Sequence, residues 1–310
     1  MSINILYAGN PSRWSIYQAE LRASLAEAGV TATLSCDLPA AEVDYIVYAP
    51  NGPLQDFSPF TRAKAVLGLW AGAEKVIANQ TLTQPYTRMV DRGLSEGMTE
   101  WVVGHVLRHH LGMDADITRT KPSWGRAAPP LARDRRVGIL GLGVLGTACA
   151  QALAALNFQV MGWSRRAKEI EGICCHHADA GLQDVLAQSE ILVLLLPDTS
   201  ATENLLNGER LAALPRGAVI INPGRGPLID DQALLAALDE GHIAHATLDV
   251  FRVEPLPDDH PYWAHPRVTV TPHIASDTRP VSAARVVVEN IRRSEAGEPL
   301  LHLVDRKAGY

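Results

Sequence analysis

The chain has 310 residues, 47% of them hydrophobic and 20% charged, a globular profile long enough for two cores of ordinary size. A formal charge of −6 at pH 7, with no block of basic residues, argues against nucleic acid or an anionic membrane as a partner. Four cysteines (Cys36, Cys149, Cys174, Cys175) make no disulfide framework, residues 2–7 read as a strand rather than a signal peptide, and the longest apolar run, 191–197, is far too short to span a bilayer; a cytoplasmic protein is expected.

From residue 3 onward, short apolar runs alternate with amphipathic stretches. Strands are predicted at 3–6, 31–35, 45–48 and 65–69, with a helix at 15–28, the rhythm of parallel strands joined by crossover helices. Residues 112–136 break the rhythm with Pro122, Gly125, Pro129 and Pro130 and read as an inter-domain passage. Beyond it come strands at 137–140, 159–163, 191–196, 218–222, 246–250 and 268–271, six in all, the number of a full dinucleotide-binding domain. Helices are predicted between them at 145–156, 182–187, 203–213 and 232–240, the last with Asp230 or Asp231 as N-cap and Gly241 as its stop. A final helical stretch covers 282–293.

The chemistry-bearing signals lie in the second half. Gly141, Gly143 and Gly146 form a G-x-G-x-x-G turn, a weak signal alone, but here an apolar strand leads in and a small-residue helix leads out. The first glycine permits the turn, the second lets a pyrophosphate approach the backbone, and the third lets helix pack on strand; Val144 and Leu145 then open a helix whose free N–H groups face the phosphates. At the end of the next strand, where an NAD-selective domain usually carries an acid, stand Ser164, Arg165 and Arg166. A hydroxyl and two guanidiniums suit a 2′-phosphate, which predicts NADPH as the preferred cofactor, with NADH possible. Two exposed loop arginines with no cofactor role are the plainer alternative.

Arg225 in Asn222-Pro223-Gly224-Arg225-Gly226, Glu254 in the 249–257 segment and His273 in Thr271-Pro272-His273 each follow a predicted strand. In an open α/β sheet ligands bind at that end. Each residue alone has an ordinary structural reading; the three together point to a site. With the glycine turn and Trp263-Ala264-His265-Pro266, these motifs occur in an order by which the chain resembles the D-isomer-specific 2-hydroxyacid dehydrogenase family, nearly end to end, and within it the glyoxylate/hydroxypyruvate reductase branch.

The resemblance implies an α/β protein of two doubly wound parallel-sheet domains: a Rossmann NAD(P)-binding domain (99–277) inserted in a flavodoxin-like substrate domain (1–98 and 278–310). It implies reduction of a small 2-oxo acid, with Arg225 holding substrate, His273 giving the proton and Glu254 orienting the imidazole. It places Leu196, Pro197, Thr202, Pro223, Gly224, Asp249, His273 and Ala275 around the cofactor, and it implies a homodimer. In the family a Gly-Ala-Gly loop meets the substrate carboxylate; here it reads Trp70-Ala71-Gly72. Trp70 either closes the pocket against large acids, alters a loop that needs a left-handed residue, or packs into the core. Tyr48 and Asn51 are weaker substrate candidates. His105 and His109, four apart on a predicted helix, lack the acid of a zinc-hydrolase motif, and Cys174, Cys175, His176 and His177 lack spaced ligand pairs, so no metal is expected and the latter four read as exposed loop. A dinucleotide-sensing, corepressor-like module of the same fold and a dehydrogenase for larger 2-hydroxy acids are the alternatives.

Overall fold

The computed structural model describes residues 3–122, 124–125 and 127–306. Outside them lie residues 1–2 and 307–310, at the ends of the expected substrate domain, and Ser123 and Arg126 in the expected inter-domain passage. The chain divides into two compact units, described residues 3–94 with 277–306, and Ser95–Ser276. It passes from the first to the second within one helix and returns after Ser276.

In the first unit five parallel strands are ordered β2-β1-β3-β4-β5: β1 (Ile3–Ala8), β2 (Ala32–Ser35), β3 (Tyr45–Tyr48), β4 (Ala65–Gly68) and the two-residue β5 (Tyr86–Thr87). That is the flavodoxin-like order. Helix α1 (Trp14–Glu27) links β1 to β2, and the single-turn α2 (Glu74–Ile77) follows β4. β3 and β4 are buried along their whole length, as parallel strands covered on both faces must be. The C-terminal helix, α9 (Pro280–Glu295), buries Ala283, Ala284, Val287, Val288 and Ile291 in one core with Tyr17, Leu21 and Leu25 of α1. Each buried branched side chain contributes roughly 1.5–3 kcal/mol.

The second unit begins in α3 (Arg92–Leu111), followed by the short α4 (Asp114–Ile117). Its seven strands are β6 (Arg136–Leu140), β7 (Gln159–Ser164), β8 (Cys174–His177), β9 (Ile191–Leu194), β10 (Ala218–Asn222), β11 (Ile243–Leu248) and β12 (Val268–Val270). All pairs are parallel, in the order β12-β11-β10-β9-β6-β7-β8. This is the doubly wound Rossmann order with one strand added, and its direction of winding reverses between β6 and β9. The crossover helices are α5 (Val144–Ala155), α6 (Ala178–Gln188), α7 (Gly208–Ala212) and α8 (Asp231–Asp239). Asp230 is the α8 N-cap, its carboxylate accepting from the Gln232 and Ala233 amides at 3.0 and 3.1 Å.

The described residues of 112–136, read as an inter-domain passage, fall inside the second unit, because the chain crosses earlier, within α3. Two predicted elements also change. Residues 174–177 are an edge strand beside β7, not a loop. A Cys-Cys-His-His run carries no apolar period, and the pairing is set by backbone and by the neighbouring strand. The helix expected over 203–213 shrinks to α7, because Asn204 has φ +49° and Asn207 caps the helix by accepting from the Arg210 amide at 3.0 Å.

Candidate active site

At the winding reversal, the turn from β6 into α5 is built around its glycines. Gly141 has φ +108°, and a Cβ there would stand 2.4 Å from the Leu195 carbonyl oxygen at the end of β9. A Cβ on Gly146 would meet the Gly141 oxygen at 1.8 Å, so α5 rests directly on the turn. Gly143 is different: nothing lies within 4 Å of its virtual Cβ. Space is kept open there, at the N-cap of a helix with no side-chain cap, which fits the pyrophosphate of a dinucleotide. Val144 and Leu145 open that helix, with Val144 half exposed.

The other cofactor candidates fall at the same end of the sheet. Ser164 ends β7, its hydroxyl donating to the Arg166 carbonyl at 2.8 Å, with Arg165 and Arg166 exposed just beyond. Leu196, Pro197 and Thr202 lie in the loop after β9, where the Thr202 hydroxyl donates to the Pro197 carbonyl at 2.7 Å. Pro223 and Gly224 follow β10, Asp249 follows β11 and Ala275 follows β12.

The three residues singled out for chemistry end adjacent strands: Arg225 after β10, Glu254 after β11, His273 after β12. Asn222, 1% exposed, shapes the first loop, its side chain accepting from the Gly224 amide at 3.1 Å and donating to the Arg225 carbonyl at 2.9 Å. The Arg225 guanidinium donates to the Gly224 carbonyl at 2.7 Å. His273 Nδ1 is 2.8 Å from Glu254 Oε2, and the other carboxylate oxygen accepts the Phe251 amide at 2.9 Å. Burial alone pushes the Glu254 carboxyl up; the hydrogen bonds from His273 and the Phe251 amide, with the charges of His273 and Arg225, outweigh it and hold the group below the ordinary glutamate value. Glu254 is therefore an anion beside the imidazole at neutral pH.

His273 itself has φ +51°, a left-handed conformation that costs a residue with a Cβ about 1–2 kcal/mol. Asp249, fully buried, holds it there. Its carbonyl accepts the His273 amide at 2.8 Å, and its carboxylate accepts the Ile274 and Ala275 amides at 2.9 and 2.8 Å and the Thr271 hydroxyl at 2.6 Å. The imidazole is half exposed, and Nε2 has no hydrogen-bond partner among the described residues.

Residues 102–275 match the family model described as the D-isomer specific 2-hydroxyacid dehydrogenase NAD binding domain. The chain belongs to the D-isomer specific 2-hydroxyacid dehydrogenase family. It is an NAD(P)-dependent oxidoreductase of that family, with the two-sheet α/β fold its sequence implied. Glyoxylate/hydroxypyruvate reductase A of Photorhabdus laumondii is 38% identical over 276 residues, 86% of this chain and 88% of that protein. Its counterpart in Yersinia enterocolitica is 39% identical over 276 residues, with the same shares covered. Among solved structures, a D-isomer specific 2-hydroxyacid dehydrogenase from Xanthobacter autotrophicus in complex with NADPH and MES is 41% identical, with a TM-score of 0.91 over 100% of both chains. An NADPH-dependent glyoxylate/hydroxypyruvate reductase from Sinorhizobium meliloti, in complex with NADP and sulfate, is 35% identical with a TM-score of 0.86, again over 100% of both.

The dehydrogenase's remaining substrate candidates lie in the first unit. Trp70, Ala71 and Gly72 follow β4, with the Trp70 carbonyl accepting the Met89 amide at 2.8 Å. Trp70 is not among the left-handed residues and is 38% exposed as a residue, so it causes no backbone strain and is not core. Tyr48 ends β3, buried edge-on against Phe57, whereas Asn51 is exposed. His105 and His109 do lie on one helix, α3, but the Nε2 of His109 pairs with the Thr247 hydroxyl at 2.8 Å, and among the described residues no group of three or more His, Cys, Asp or Glu side chains could hold a metal ion. No described helix is long and apolar enough to cross a membrane.

Sequence reasoning missed one residue, Lys168, and the structural role of two that it had named. Lys168 donates from Nζ to the Leu142 carbonyl, laying a third cation over the glycine turn; a basic side chain two places after the arginine pair was the available clue. Asn222 and Asp249 act as buried braces for the loops carrying Arg225 and His273, a role visible only once their partners are located.

Proposed function

We propose that this dehydrogenase reduces a small 2-oxo acid, such as glyoxylate or hydroxypyruvate, with NADPH: the acid, NADPH and one proton give the 2-hydroxy acid and NADP⁺. The His273–Glu254 pair, 2.8 Å apart beside a strand-end arginine, is the observation that carries the reading. A nicotinamide held at this strand end would supply the hydride that C2 gains. Arg225 binds the carboxylate or the carbonyl oxygen, where its planar fork orients the acid and offsets developing negative charge. His273 gives that oxygen its proton from Nε2 while Nδ1 stays on Glu254, which fixes the orientation of the ring. The backbone of Trp70-Ala71-Gly72 meets the substrate carboxylate, making the first unit the substrate domain and the second the cofactor domain.

Ser164, Arg165, Arg166 and Lys168 favour the 2′-phosphate of NADPH; the NADP(H) complexes of the two similar structures support this choice. The protein works as a homodimer, consistent with the exposed apolar side chains of Ile117, Trp124 and Leu131 between α3 and β6. Initial rates with glyoxylate, hydroxypyruvate, pyruvate and phenylpyruvate, each with NADPH and NADH, test the reading on wild type and His273→Ala. NADPH-dependent turnover of the small acids, at least about a hundredfold lower in the variant, is expected. Tight dinucleotide binding without turnover of any acid favours a sensing module instead.

A further inference from the structure

Within the first unit, a small recess opens among Tyr7, Arg13, Tyr17, Asn51, Trp70 and Asp277, at the carboxyl ends of β1, β3 and β4. It offers about 20 Å³ to water-sized molecules, enough for one group of that size, since a water needs on the order of 10–15 Å³. Tyr17 is 2% exposed, its ring 5.5 Å from that of Tyr7 and covered by the Arg13 guanidinium at 6.0 Å. Tyr17 lines this recess, and its hydroxyl has no hydrogen-bond partner among the described residues. Burial pushes the phenol well above its ordinary value, against the opposing charge of Arg13, so it is a neutral donor at working pH.

Charge in the recess is balanced. Arg13 Nη1 sits 3.2 and 3.1 Å from the two Asp277 oxygens, so no lone cation awaits a second carboxylate. A phenol that can donate and a carboxylate that accepts suit a hydroxyl, which does both. Leu69 and Trp70 line the recess, and Trp70 also opens the loop assigned above to the substrate carboxylate.

We propose that this recess is a subsite for the C3 hydroxyl of the 2-oxo acid, with the Tyr17 hydroxyl as its hydrogen-bond partner, so that Tyr17 selects hydroxypyruvate over pyruvate. The proposal rests on the reductase reading. Glyoxylate ends at C2 and never enters the recess, which makes it the internal reference.

The test is kcat/KM for hydroxypyruvate, pyruvate and glyoxylate with NADPH, in wild type and Tyr17→Phe. The variant keeps the ring and removes one oxygen. Its hydroxypyruvate-to-pyruvate ratio falls about three- to tenfold, the worth of one neutral hydrogen bond, and its hydroxypyruvate-to-glyoxylate ratio falls with it. Equal changes for all three acids overturn the proposal and leave Tyr17 a packing residue. Wild type gives a second arm that no folding defect can spoil: D-glycerate inhibits more tightly than D-lactate, and equal inhibition overturns the proposal. Failure of wild type to turn over any of the three acids sinks the reductase reading and this subsite together, whereas turnover with unchanged ratios sinks the subsite alone.

Discussion

The two sheets share a winding rule and differ in how the loops at their carboxyl ends are held. In the second unit, buried side chains grip the backbone: Asn222 clamps both sides of the Gly224-Arg225 turn, and Asp249 takes three hydrogen bonds from residues 271–275. In the first unit, the loop after β4 is tied at its start, by the Thr278 hydroxyl on the Leu69 carbonyl at 2.6 Å and the Met89 amide on Trp70, and then presents an exposed indole. On the function proposed above, the braced loops position a proton donor, a task that tolerates little error in position, and the lightly tied loop meets the acid, whose recognition single side chains can adjust.

The contrast breaks first at Asp249. Asp249→Asn leaves one acceptor oxygen where two took the Ile274 and Ala275 amides, so one buried N–H loses its partner. We expect a loss of about 1–3 kcal/mol in stability. A displaced imidazole lowers kcat by about a hundredfold. Denaturant melts and steady-state rates check both; a variant with wild-type kcat would show that the brace does not set His273.

Cofactor choice is next in size. Arg165→Ala combined with Arg166→Ala raises KM for NADPH about tenfold or more while changing KM for NADH little, since only the former carries the phosphate these cations pair with. Lys168→Ala added to the pair sharpens the assignment: a further rise for NADPH alone places Lys168 at the 2′-phosphate, and an equal rise for both cofactors places it at the glycine turn, where it already donates to Leu142. In the first unit, Trp70→Gly tests the lightly tied loop. A gain of several-fold in kcat/KM for phenylpyruvate, with the small acids little affected, identifies the indole as a size filter; a wider pocket is worth only a modest factor because it adds no specific bond.

How much of this was legible beforehand follows the same division. The glycine turn announces itself because each of its three positions has a separate steric reason, and the structure gives each one: a left-handed backbone, an open face and a helix seated on the turn. Arg225, Glu254 and His273 were legible as strand-end residues, since the apolar runs before them fix where β10, β11 and β12 stop. The pairing of Glu254 with His273 depends on loops that only tertiary contacts position. β8 was invisible because an edge strand of cysteine and histidine needs no apolar face. Tyr17 was hidden as well: a tyrosine within an amphipathic helix reads as core, and its unpartnered hydroxyl appears only when the recess is seen.

The smallest effect concerns two partly buried histidines near the strands that lead to Glu254 and His273. The rings of His109 in α3 and His245 in β11 lie 4.9 Å apart, tilted by 44°, their Nε2 atoms paired with the hydroxyls of Thr247 and Thr269 at 2.8 and 2.9 Å. Burial pushes His109 from 6.5 to about 3, helped by the charges of His245 and Arg108, and pushes His245 to about 4, helped by Arg108. Both folded values lie below the ordinary one, so on acidification the unfolded chain takes up protons first. Their contribution to stability is complete above about pH 6.5 and is lost as pH falls toward about 4 and then about 3. His109→Gln keeps a polar partner for Thr247 and cannot titrate. Between pH 7 and pH 5 its melting temperature should fall less than that of wild type, by about 2–4 °C. Parallel pH profiles for the two proteins would mean that the pair is protonated as readily in the folded chain as in the unfolded one, and that burial does not govern their titration.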